Sequence, residues 1–278
     1  MLAFILPFKP KSQSKNWEKD CALLKASILS LLEQNSDEFF VYVVYSDHPQ
    51  IQITSTRLQF IHFPFDFVSQ DKIPEVEDIR VHFNHDMVML ERRWDKSRKI
   101  FYGCKQALQD GCDYLMAVDS DDLISNKLAE YVQNQIAEEA VPGFYIGKGY
   151  LYRPGNKRMI FINEGMQNFN GSTHILHKDL ITIPDFVTGK WMDFNLFTSH
   201  GWIRHRLKES RGVDLQPIPF PAVIYMAHGG NISKIGERNL KKNIKDWVKR
   251  ILRGKSINNE LMREYNLSQN PFFTRSSA

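Results

Sequence analysis

Tyr114-Leu115-Met116-Ala117-Val118-Asp119-Ser120-Asp121-Asp122 is the stretch on which the reading of this 278-residue chain turns. Tyr114 to Val118 is a short apolar run that follows Gly111, which predicts a buried strand rather than a helix. It delivers three carboxylates within four residues. Such a cluster repels itself and resists leaving water. A divalent cation relieves both problems, and oxygen ligands suit Mg²⁺ or Mn²⁺ better than zinc. A solvated acidic turn, with Asp122 or Ser125 capping the next helix, is the plainer alternative.

Working outward, Leu2 to Leu6 is a short apolar run closed by Pro7 and predicts a first strand. Trp17 to Gln34 carries Leu24, Ile28, Leu31 and Leu32 at helical spacing. Phe39 to Tyr45 is β-branched and aromatic, and Leu58 to Phe63 is similar, so both predict strands. Gln70 to Trp94 is polar and charged and predicts a long loop or irregular helix. Arg98 to Asp110 predicts a helix ended by Gly111, and Asn126 to Glu138 another. This order argues for an α/β fold, with a mostly parallel central sheet flanked by helices. Ligands of such sheets bind beyond the carboxyl ends of the strands. Pro7-Phe8, Asp47 and Asp119 to Asp122 all fall there. Past Val141 the pattern loosens: strands are expected over Gly143 to Tyr152, Met159 to Ile162 and Ala222 to Met226. The chain reads as one domain over 1–278: a first half (1–125), a second half (126–236) and a basic helical tail (237–278).

Composition narrows the class. Hydrophobic residues make up 42% and charged residues 24%, as in soluble globular proteins. A net charge of +4 gives no argument for nucleic acid. Cys21, Cys104 and Cys112 are odd in number and form no C-x-x-C pair, which argues against a disulfide framework or zinc knuckle and for a reducing compartment. The N-terminal apolar run is short for a signal peptide, and no segment has the apolar length of a membrane span, so a cytoplasmic location is expected. The N-x-S sequons at Asn170, Asn231 and Asn266 then read as chance. There is no G-x-G-x-x-G, P-loop, H-E-x-x-H or G-x-S-x-G motif.

The segment from Ser97 to Ala107, through Gly111-Cys112-Asp113-Tyr114, into Asp119-Ser120-Asp121-Asp122 resembles the helix–strand–DXD segment of family 2 glycosyltransferases, which have the GT-A fold. Phe4-Ile5-Leu6-Pro7-Phe8, Ser27 to Gln34 and Phe40 to Val44 resemble that family's first strand, first helix and second strand. The resemblance covers the first half well and the second half only at islands. One departure is visible: the family's acidic pair and Gly-Ser after the second strand are replaced by Tyr45-Ser46-Asp47-His48-Pro49.

The resemblance implies an inverting, metal-dependent transfer of a sugar from a nucleotide-diphosphate sugar, UDP-sugar favoured, to an acceptor hydroxyl on a glycan or lipid-linked molecule. The candidate nucleotide-sugar contacts are Pro7, Phe8, Asp47, Lys99, Asp119 and Ser120. The candidate ligands of Mn²⁺ or Mg²⁺ are Asp119, Asp121 and the late histidine His228, which precedes Gly229-Gly230. Asn168 to Thr173 is the expected glycine-containing loop. Asp193 is the candidate catalytic base, with Trp191 beside it as an acceptor-binding ring; Asp185 and Glu164 are its rivals. A nucleotidyltransferase on a similar sheet is disfavoured because no glycine follows the first strand within Lys9-Pro10-Lys11-Ser12. A non-catalytic nucleotide-sugar-binding module is the other alternative. Leu240, Ile244, Trp247, Val248 and Ile251 alternate with lysines and arginines at helical spacing, so 237–253 predicts a basic helix. It either docks on the domain or makes peripheral contact with the inner face of a membrane.

Overall fold

The structure, a computed structural model, describes residues 1–75, 87–228 and 254–273. Its first strand, β1 (Leu2–Pro7), is buried along its whole length and lies between two parallel neighbours. On one side is β2 (Phe39–Tyr45), with Leu2 opposite Phe39; on the other is β4 (Tyr114–Ala117), with Leu2 opposite Tyr114. β3 (Leu58–His62) continues the parallel set beyond β2. Side chains alternate across a strand, and β1 separates two cores accordingly. Leu2, Phe4 and Leu6 face helix α1 (Trp17–Leu32), whereas Ala3 and Ile5 face helix α2 (Met87–Gln109). α1 starts where the Asn16 side chain accepts from the Lys19 amide at 2.9 Å, an N-cap that satisfies one of the orphan donors.

The central sheet is seven-stranded and mostly parallel at its core, as expected. It is extended past β4 by β9 (His174–His177), which runs antiparallel to β4 and to β6 (Gly143–Tyr145), with β10 (Gln216–Pro217) at the edge. A second, five-stranded sheet was not foreseen. It has the order β12 (Gly254–Ser256), β8 (Arg158–Ile162), β7 (Gly149–Tyr152), β11 (Val223–Met226), β5 (Leu123–Ile124). The run 143–152, expected as one strand, is split at 146–148 so that β6 joins the first sheet and β7 the second. The acidic tetrad occupies the crossing point, since β4 ends in the first sheet just before it and β5 opens in the second just after it.

Two further departures have local causes. α2 begins at Met87, well upstream of Arg98, because Leu90 and Trp94 continue the apolar stripe of Phe101 and Cys104 beneath the charged residues. The carboxyl-terminal residues fold back as β12 and α5 (Asn259–Glu264). There Glu264 accepts from Ser125 Oγ at 2.7 Å and from Lys127 Nζ at 2.9 Å, and Tyr265 donates to the Pro221 carbonyl at 2.7 Å. α3 (Leu128–Glu138) matches its expected span closely. Among the described residues no helix is long and apolar enough to cross a membrane. The basic stretch 237–253 lies outside the described residues up to 253, as do Gly229, Gly230 and the sequon at Asn231.

α2 lies very close to the sheet at Gly103, where an added Cβ would stand 2.5 Å from Ile5 Cγ2 and 2.9 Å from Val44 Cγ2. Both are stiff β-branched groups in the core. Gly103→Ala is therefore expected to destabilise the fold by about 1–2 kcal/mol, overpacking outweighing the better helix propensity of alanine. A lowered urea midpoint at unchanged slope checks this; an equal or higher midpoint would mean the helix stands off the sheet.

Candidate active site

The tetrad divides by direction. Asp122 is wholly buried and accepts from Asn170 Nδ2 at 2.7 Å, from Ser172 Oγ at 2.6 Å and from the Met226 amide at 3.4 Å. It thereby joins the end of β4 to the 170–172 loop and to β11. Desolvation first, then the charges of Asp121 and Asp119, push its carboxyl well above the usual range, against the pull of Ser172 and Asn170.

Asp119 and Asp121 point the other way and keep part of their surface in water. The Asp119 amide donates to no strand partner; it is held by Ser172 Oγ at 2.7 Å. Its carboxylate forms an ion pair with Lys96, which reaches across from α2. Gly171 permits this, because a Cβ there would lie 2.9 Å from Asp119 Oδ2 and 3.1 Å from Lys96 Nζ. Asp121 Oδ2 lies 2.8 Å from His228 Nε2, and the imidazole is almost completely enclosed, its side chain 6% exposed. Two residues 107 positions apart thus meet where β11 ends beside the tetrad. Ser120 sits in the turn between them, which the Asp122 amide closes by donating to the Asp119 carbonyl at 3.0 Å.

Of the three candidate metal ligands, Asp121 and His228 are together, while Asp119 is engaged by Lys96. No group of three or more His, Cys, Asp or Glu residues converges on one point among the described residues. The donor set fits a cation that takes one carboxylate and one imidazole from the protein and completes its shell with phosphate oxygens and water. It does not fit a closed structural site.

The expected nucleotide-sugar contacts lie at the same sheet end but in different roles. Phe8 is corrected: it is wholly buried, its ring against Trp17 at 5.0 Å, its amide donating to the Val44 carbonyl at 2.8 Å and its carbonyl taken by Lys99, so it offers a ligand no surface, and Pro7 is buried beside it. Asp47 is exposed after β2, and its Oδ2 accepts from the Lys11 amide at 2.7 Å, pinning the turn 11–13. Lys99 is corrected. Its side chain is completely enclosed, with Nζ donating at 2.9 Å to both the Phe8 carbonyl and Asp95. It supports the end of β1 from beneath and offers a ligand no surface. Burial pushes the Lys99 ammonium down and the Asp95 carboxyl up, each opposed by its partner.

Trp191 is corrected too. It is 3% exposed and stacks on Trp94, centroids 5.9 Å apart at 14°, so it belongs to the core under α2. Asp193 is exposed and caps the 3-10 helix Trp191–Phe197, accepting from the Lys190 amide at 2.8 Å. Its rival Asp185 is held by the Val187 and Thr188 amides and the Thr188 hydroxyl, and the two Thr188 and Val187 amides foremost keep its carboxyl below the usual range. Glu164 is exposed beside the turn 166–168.

Lys96 and His200 were missed by the sequence reading. His200 lies at the start of the 3-10 turn His200–Trp202, against the Asn168 backbone and within the fields of Lys96 and Asp119. Burial first, then Lys96, push its imidazole below the usual range, with Asp119 opposing. Lys96 was hidden because 70–94 predicts a long loop or irregular helix and the regular helix is expected to begin only at Arg98. His200 carries no local signature, since only the packing of 200–202 on 166–168 brings it to Asp119.

No family model matches the chain, and no curated protein matches it. Solved structures of S. aureus TarS resemble it. The crystal structure of TarS 1-349 is 14% identical, with 81% of this chain and 60% of that chain covered and a TM-score of 0.44. Its complex with UDP is 13% identical at the same coverage, TM-score 0.43. The complex with UDP-GlcNAc is 13% identical and covers 98% of this chain and 78% of that chain, TM-score 0.45. The chain thus spans 60% of TarS 1-349 in the first two comparisons. Likeness this distant bears on neither activity nor ligand.

The inward and outward carboxylates should separate on substitution. Asp122→Ala strands three buried donors and is expected to cost about 2–4 kcal/mol of stability. Asp121→Ala removes a like charge from beside Asp122 and should cost about 1 kcal/mol or less. Thermal unfolding of both variants checks this; equal losses would show that Asp122 has no special structural role.

Proposed function

We propose that the chain is a metal-dependent inverting glycosyltransferase that moves a sugar from a nucleotide-diphosphate sugar, UDP-sugar favoured, to an acceptor hydroxyl. The observation that carries this reading is the meeting of Asp121 with His228 at 2.8 Å, two residues from the Asp119–Lys96 pair, at the carboxyl end of the central parallel strands. That sheet end is where an α/β fold takes a nucleotide. Mn²⁺ or Mg²⁺ held by Asp121 and His228, with Asp119 released from Lys96, would neutralise the diphosphate leaving group. Lys96, once released, is a second cation for the same phosphates, within reach of Gly171 and Asp119. Asp47 and Ser120 border the nucleotide through short, accessible side chains.

Two groups compete for the proton of the acceptor hydroxyl. Asp193 is exposed and has one oxygen engaged in capping. His200 stands within the field of Asp119 and, with its imidazole held below the usual range, is neutral at physiological pH and able to accept a proton. Asp185 is the weakest candidate, because the donors that lower its carboxyl also occupy it.

The test is titration of UDP-GlcNAc, the ligand held in the TarS complex, and of other UDP-, GDP- and dTDP-sugars, with and without Mn²⁺, followed by an assay for nucleoside-diphosphate release. Asp121→Ala and His228→Ala are expected to weaken donor binding with Mn²⁺ far more than without it. Asp193→Asn and His200→Gln should leave donor binding intact, and the true base should lower kcat by about 10²–10⁴-fold. A fully active Asp121→Ala enzyme would sink the reading, and metal-dependent binding without turnover would mark a binding module.

A further inference from the structure

Phe169, Val187, Met192 and Trp202 are the large apolar side chains left exposed among the described residues. Two of them belong to the turns that border the carboxylates. Phe169 immediately precedes Asn170, whose amide holds Asp122. Trp202 closes the 3-10 turn His200–Trp202, which packs on the turn Met166–Asn168; a Cβ at Gly201 would lie 3.9 Å from Asn168 Oδ1. His200, in the same turn, feels both Asp119 and Lys96. Trp202 is 52% exposed and Phe169 43%, against 3% for Trp191. The indole ring meets His205 edge-on at 5.2 Å and 62°.

A half-exposed tryptophan leaves apolar area in water that a ligand can cover. The occupant must be apolar on one face and rich in hydrogen-bonding groups on its edge, since His200 shares the turn of Trp202 and Gly171, two residues past Phe169, lies against Asp119 and Lys96. A pyranose meets both demands: its axial C–H face packs on an aromatic ring while its hydroxyls turn to polar neighbours. A lipid chain or an apolar helix would instead need a continuous apolar groove, whereas here the polar residues Gln167, Asn168 and His200 belong to the same turns.

We propose that Trp202, with Phe169 as a second wall, is the surface on which a pyranose ring of the acceptor packs. The identity of that ring as an acceptor rests on the transferase reading; the packing itself does not. Trp202 is a binding residue in this assignment and takes no part in proton transfer.

The full chain has five tryptophans, so ¹⁵N-tryptophan labelling gives a small set of indole N–H signals, with Trp202→Phe assigning that of Trp202. Methyl β-D-glucopyranoside is titrated to high millimolar concentration, with glycerol as a polyol that has no ring face. The Trp202 signal is expected to shift saturably with the glucoside and not with glycerol, while those of Trp94 and Trp191 stay still. Phe169→Ala should weaken the response by about threefold or more, within what one aromatic contact supplies. A stationary Trp202 signal, or equal shifts with glycerol, would overturn the proposal. UDP-GlcNAc with Mn²⁺ is titrated into the same sample. Donor binding with a silent Trp202 would remove the platform alone; a Trp202 response to glucoside without any donor binding would remove the transferase reading and leave the platform standing.

Discussion

The rest of the site depends on a carboxylate that water cannot reach. Asp122 is buried at the junction of the two sheets, and it is tolerable there only because three donors from two separate segments converge on it. Those donors come from the 170–172 loop and from β11. Satisfying Asp122 therefore fixes where the loop and the strand lie relative to the end of β4. The position of Ser172 then holds the Asp119 amide, and the end of β11 carries His228 to Asp121. One buried group organises the three segments whose side chains form the candidate active site.

The same constraint explains why four consecutive polar residues behave so differently. A turn leaving a parallel strand must send some side chains into the sheet junction and others outward. The inward group is paired with neutral donors, which stabilise it without adding charge. The outward groups are paired instead with the side chains of Lys96 and His228.

The first half of the molecule was legible because its elements are specified locally. β1, β2 and β4 are short apolar runs with clear stops, and α1 has both an apolar stripe and an Asn16 cap. The pairing of Asp121 with His228 was legible as a placement, since each follows an apolar strand. What escaped is non-local. The split of 143–152 between two sheets has no signature in its own residues. Trp191 beside an acid looked like a sugar platform, yet the stacking partner that buries it, Trp94, lies in a segment whose sequence predicts only a long loop or irregular helix. Lys99 looked available until the fold closed over it with Asp95 and the Phe8 carbonyl. Charged residues mark function poorly when an ion pair and a backbone carbonyl can satisfy them inside.

Asn170 bears on how this molecule ages. Asn-Gly is the dipeptide in which a backbone nitrogen most readily attacks the preceding side-chain amide, and the glycine at 171 lies close against Asp119. The asparagine is 1% exposed, with its amide nitrogen on Asp122 and its oxygen accepting from the Ser172 amide. Held at both ends, the side chain cannot swing to meet the Gly171 nitrogen. The hydrogen bonds that shape the site thus also guard its most chemically fragile peptide link, which becomes vulnerable only when the loop opens.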